Sequence, residues 1–125
     1  MQKRPPEPAA IAAMYDALVA SLPRLERLPR GHRFTIGERL AGLQMEVLEL
    51  LVRARYDQAK AEKLAAANVS LELCRILVRA LCDTKAISVG QYAAWILELD
   101  GVGRQVGGWL KFATAQEAIA HGTDA

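Results

Sequence analysis

The chain has 125 residues, a mass of 13.7 kDa and a formal net charge of +2, with 52% hydrophobic, 24% charged and 6% aromatic residues. That length corresponds to one domain, and the charged and apolar content excludes wholesale disorder. The longest uncharged run, residues 86–97, is too short for the roughly 20 apolar residues that cross a bilayer.

The N-terminus, MQKRPPEP, carries basic residues but no apolar stretch of the signal-peptide kind. Residues 1–8 are therefore expected to be a disordered lead-in, and the expected compartment is the cytoplasm. All five prolines fall before residue 30, so nothing of that kind interrupts a helix afterwards.

A first helical pattern spaces Ile11, Met14, Leu18, Leu22 and Leu25 by 3, 4, 4 and 3 residues, with Pro23 marking or kinking its last turn. A second is predicted from Phe34–Thr35, where Thr35 as N-cap and Glu38 three residues on have capping-box spacing. Its stripe is Ile36, Leu40, Leu43, Val47, Leu50 and Ala54. The third follows Asp57, carries Leu64, Ala67, Leu71, Cys74, Val78 and Leu81, and is expected to be the longest, reaching about Lys85. The fourth opens with Ser88 as N-cap and carries Tyr92, Trp95, Leu99, Val102, Val106 and Trp109. No segment alternates with the period of a strand. From Thr114 the composition reads as a tail, 114–125. The fold class is all-α: an antiparallel up-down four-helix bundle over residues 9–113, its short connections making neighbours antiparallel.

The stripes are wider than one bundle core needs. Met45, Leu48, Leu51 and Val52 lie outside the second seam, and Val69, Leu73, Ile76, Leu77 and Ala80 outside the third. A second buried surface follows, most simply a subunit interface.

Cys74 and Cys82, eight residues apart on one helix, are about 12 Å from each other and cannot bridge. They are expected to be free thiols acting as small apolar groups, and with only His32 and His121 as further soft ligands no metal or cofactor is expected. No H-E-x-x-H, G-x-S-x-G or P-loop occurs, which disfavours an enzyme. Residues 24–39 hold Arg24, Arg27, Arg30, Arg33 and Arg39 against Glu26 and Glu38, a local +3. Arginine suits phosphate through its bidentate fork, and a solvated connector is the open alternative. On the third helix Asn68, Glu72, Arg75, Arg79 and Asp83 share roughly one face. Arg75 and Arg79 could grip a phosphate or simply pair with Glu72 and Asp83. The segment DGVGRQVGGW has an incomplete dinucleotide fingerprint and no preceding strand; its glycines are expected to let a neighbour approach.

Four ordered blocks, HRFTIGERL, EVLELLVRARY, LCRILVRALCDTKAIS and GGWLK, resemble the accessory variability determinant proteins of diversity-generating retroelements over roughly residues 14–111. More distantly they are similar to the four-helix proteins encoded by intervening sequences of 23S ribosomal RNA genes. The first resemblance implies a homopentameric ring or barrel. It also implies a non-enzymatic partner of a reverse transcriptase that binds RNA or DNA through basic surface and supports error-prone copying at adenines. Carried over by position, the binding residues would be Arg30, Arg33, Arg53, Arg55, Arg75 and Arg79. Leu28 and Gly101 depart from the family pattern, which has a common aromatic and a polar helix former there. The second resemblance implies a structural oligomer with no polymerase partner.

Overall fold

Periodic apolar residues and few breakers give four helical runs. The computed structural model describes residues 7–122; positions 1–6 of the expected lead-in, and residues 123–125, lie outside the described residues. Helix α1 is Ala9–Glu26. A turn Arg30–His32, a π-helical stretch Arg33–Gly37 and a helix Glu38–Tyr56 follow one another without a break and together form α2. Helix α3 is Ala61–Asp83 and α4 is Val89–Gly122. No strand occurs among the described residues. Each helix packs on its sequence neighbours and α4 closes against α1. The connections, residues 27–29, 57–60 and 84–88, are short enough to make neighbours antiparallel, so the chain is an up-down four-helix bundle.

Helix α3 buries the stripe its spacing indicates: Leu64, Ala67, Leu71, Cys74, Val78 and Leu81 are each 0% exposed. Elsewhere the structure shifts the seam. In α1 it runs through Ala10, Ile11, Met14, Ala17, Ser21 and Leu25, leaving the expected core residue Leu22 exposed. Ser21 tolerates burial because its hydroxyl donates to the Leu18 carbonyl at 2.7 Å and accepts from Gln44 Nε2 at 3.0 Å. In α2 Leu51 is buried and Leu50 only half-buried, the reverse of the expected pair.

The start of α2 also differs. Pro29, not Thr35, precedes its first turn: the Pro29 carbonyl accepts from the His32 and Arg33 N–H groups at 2.9 and 3.0 Å, and the fixed φ of proline suits the entry. Thr35 already lies inside the helix, where its hydroxyl donates back to the Gly31 carbonyl at 2.8 Å. Such back-bonding competes with regular α geometry, and the surrounding turn is π-helical. Gly37 is fitted to this turn, since a Cβ there would stand 3.2 Å from both the His32 carbonyl oxygen and buried Leu28.

Ser88 caps α4 as its position indicates. The Gln91 N–H donates to Ser88 Oγ at 3.1 Å and the Ser88 N–H to Gln91 Oε1 at 2.7 Å, a reciprocal capping box. Helix α4, not α3, is the longest, 34 residues against 23, because α4 runs on past Ala113 to Gly122; α3 stops at Asp83. There the Ala86 N–H reaches the Leu81 carbonyl and the Lys85 N–H the Cys82 carbonyl, the Schellman pattern. Its left-handed position, φ 63°, is held by Lys85 rather than glycine. Past Ala113 helix α4 continues to Gly122 with its side chains largely exposed. From this extension Glu117 Oε1 accepts the Ala61 N–H at 3.5 Å, placing a carboxylate at the start of α3. At the same end Lys60 Nζ donates to the carbonyls of Ala54, Arg55 and Asp57 and closes α2.

Two substitutions test these ends. Ser88→Ala should cost about 1 kcal/mol in urea unfolding. Lys85→Gly should raise stability by up to about 1 kcal/mol, because glycine holds the left-handed φ without the Cβ clash; an unchanged midpoint would remove the strain at this position.

Candidate functional site

The six arginines marked by the sequence fall into three places. Arg30 and Arg33 stand at the end of the bundle where α1 turns into α2. His32 Nε2 lies 3.2 Å from Thr84 Oγ1, tying this turn to the α3–α4 turn, so Arg79 near the end of α3 and Lys85 just beyond it belong to the same end. The side chains of Arg27, Arg30, Arg79 and Lys85 are exposed and make no ion pair or hydrogen bond among the described residues. The Arg33 guanidinium lies over the Phe34 ring, 5.5 Å from its centroid, and that ring is 58% exposed.

Arg24 leaves this group. Its guanidinium makes a two-pronged bond to Glu98 on α4 and lies over buried Trp95, 5.5 Å from the ring centroid. It is a clasp between α1 and α4, its stem packed and its head paired.

Arg53 and Arg55 stand at the opposite end of α2, roughly 30 Å from Arg30 and Arg33 at 1.5 Å per residue. Arg53 pairs with Glu49 at 3.1 Å and Arg55 lies over Tyr56. Lys63 pairs with Asp57, and this bond, with the Ala59 N–H, holds the Asp57 carboxyl below its ordinary range. The loop contact is therefore complete above the ordinary carboxyl pKa and weakens as pH falls through the lowered one. An open hollow of about 1100 Å³ lies over Met45, Leu48, Val52 and Tyr56 at this end, and both carboxylates on its rim, Glu49 and Asp57, are already paired.

Arg75 is inside the fold's own bonding. Its Nε donates to Asp100 on α4 at 2.8 Å, so its partner is neither Glu72 nor a free anion. A Cβ at Gly103 would overlap the Arg75 guanidinium. This is the approach the glycine-rich segment was expected to allow, made by a side chain of the same protomer. Gly107 and Gly108 face open space. Arg27, part of the basic run 24–39, belongs to the turn end as well, and Phe34 and Lys85 are members of it that charge counting does not find. The only sequence signal of those two is position beside the two turns.

Cys74 and Cys82 are free thiols on α3. Burial pushes Cys74 up from 9.0 to about 12, so it stays neutral at physiological pH and destabilises the fold as pH rises from 9 toward 12. Among the described residues no group of three or more His, Cys, Asp or Glu is placed to hold a metal ion, and no helix is long and apolar enough to cross a membrane.

The family model described as bAvd-like matches residues 11–113, which takes in parts of all four helices up to buried Ala113. No curated protein matches the chain.

Charge reversal separates the two arginines of α3. Arg75→Glu should lower stability by about 1 kcal/mol, since it loses an ion pair and sets a carboxylate against Asp100. Arg79→Glu should leave the melting temperature within a degree or two. Thiol labelling at pH 8 should modify half-buried Cys82 in the native protein and Cys74 only after denaturation; rapid native labelling of both would contradict the burial of Cys74.

Proposed function

The chain belongs to the bAvd-like family, and from that membership we propose that it is a non-enzymatic accessory protein of a diversity-generating retroelement. It acts in the cytoplasm, binding the element's reverse transcriptase and its template RNA or cDNA, and supports mutagenic copying. The observation that carries this reading is the family match over residues 11–113, which spans all four helices rather than one motif. The turn end supports it: Arg30, Arg33 and Arg79 are exposed there, and neither Arg30 nor Arg79 is paired among the described residues. Phosphate contacts of that kind release counterions and bind in a salt-dependent way. Arg53, Arg55 and Arg75 are weaker members of the proposed surface, because each already has a contact within the protomer.

The proposed assembly is a homopentameric ring, the number five coming from the family resemblance. A closed ring needs two different patches on each protomer that meet head to tail. Two apolar faces fit that need. One carries exposed Tyr15, Val19 and Leu22 of α1 beside Met45 and Val52 of the adjoining α2. The other carries Val69 and Ile76 of α3 with half-buried Leu73 between them. Ring symmetry repeats each basic patch five times, so individually weak contacts combine by effective concentration.

Light scattering of the purified chain should return about five times 13.7 kDa, and Val69→Glu with Ile76→Glu should reduce it to the monomer with helical circular dichroism retained. Tagged protein should capture the reverse transcriptase and template RNA encoded beside its gene, and Arg30→Glu with Arg33→Glu should weaken that capture. A pentamer that captures neither would favour the structural oligomer of the ribosomal intervening-sequence type instead.

A further inference from the structure

An exposed aromatic ring set among exposed arginines is a poor investment for a fold and a good one for stacking. Phe34 is 58% exposed, while its neighbours Leu28, Ile36 and Gly37 supply the packing of the turn. Arg33 lies over its ring, and Arg30 stands one turn back on the same helix. The other exposed aromatics among the described residues differ. Tyr15 is near Val19 and Leu22 on an apolar face; Tyr56 has Arg55 over its ring, but the neighbouring Arg53 already gives its charge to Glu49; and Phe112 of α4, 63% exposed, has no guanidinium over its ring. Phe34 alone combines an open face with a guanidinium against the ring and an unpaired arginine, Arg30, next to it among the described residues.

We propose that Phe34 is a base-stacking platform, and that through it the turn end selects single-stranded nucleic acid over duplex. The inference rests on the nucleic-acid part of the proposed function and names the form that is bound. An unpaired base offers a free π-face to the ring, while Arg30 and Arg33 hold the flanking phosphates. A duplex hides its base faces within its own stack, so it meets only the arginines and binds by charge alone.

The test uses the full chain and fluorescence anisotropy with a labelled 20-nucleotide single strand and the same sequence as a duplex. Wild type should bind the single strand more tightly. Phe34→Ala should lose roughly 5- to 100-fold on the single strand, keep its duplex affinity and keep its salt slope. Phe34→Leu, which preserves an apolar side chain without a π-face, should behave as the alanine variant, and Phe34→Trp should restore binding. Arg30→Glu with Arg33→Glu should weaken both forms and flatten the salt dependence. Light scattering and a melting curve that match wild type establish that each variant is folded. The inference is overturned if either ring-less variant binds the single strand as wild type does, or if it loses duplex and single strand equally. It is also overturned if the loss falls on capture of the polymerase alone, which would make Phe34 a protein contact. Wild type that binds neither nucleic acid overturns it together with the nucleic-acid part of the proposed function, whereas polymerase capture is read separately.

Discussion

Burial of one apolar stripe on each helix is the constraint from which the other features follow. Leu64, Leu71 and Leu81 of α3 and Leu40, Leu43 and Leu51 of α2 are at most 1% exposed, and truncating any one to alanine would typically cost 2–5 kcal/mol. The stripe fixes how far each helix is rotated about its axis. Every remaining side chain is then assigned: Arg75 toward α4, Ser70 toward Glu46 on α2 at 3.3 Å, Val69 and Ile76 to the outside. The exposed apolar faces are thus a consequence of sequence width against seam width. A helix with more apolar residues than its protomer can bury presents the surplus outward.

Polar groups take up what the seam leaves open, and they do so at the helix ends and between helices. Lys60 closes α2, Glu117 reaches the start of α3, Ser88 and Gln91 open α4, and Arg24 clasps Glu98 across Trp95. The accounting is not complete. Gln44 Oε1 and Trp95 Nε1 are buried without a hydrogen-bond partner among the described residues, each carrying the desolvation cost of an unmade bond. Gln44 still links α2 to Ser21 on α1, which accounts for an amide in the core but not for its free oxygen.

The same bookkeeping of partners divides the charge unevenly. A net +2 spread over the chain says little about binding, but the structure pairs most cations at one end, exposed Lys111 of α4 excepted among the described residues, and leaves four open at the other. Around the 57–60 loop, Arg53, Lys60 and Lys63 all have partners. Around the 27–29 and 84–88 turns, Arg27, Arg30, Arg79 and Lys85 have none among the described residues. Lys85 holds its cation in a left-handed backbone position that glycine would fill with less strain. This asymmetry, more than total charge, makes the turn end the candidate surface.

Periodicity determined four helices, the full buried stripe of α3 and the presence of a surplus apolar face, and residue type determined the cap at Ser88. Residue spacing decides which side chains share a side of a helix before any neighbour is present. Tertiary structure decided the rest. Where a helix is apolar over a wide arc, several rotations bury similar area, and only the neighbouring helices select Leu51 over Leu50 or Ser21 over Leu22. The start of α2 depended on Leu28 seating against Gly37, a contact that no capping pattern encodes. The fate of each arginine depended on residues remote in sequence: Glu98 took Arg24 and Asp100 took Arg75. Folding likewise brought Thr84 to His32 and so gathered Arg30, Arg79 and Lys85 at one end. A charge pattern along a chain shows which cations exist; which of them stay free is set by the partners that folding delivers.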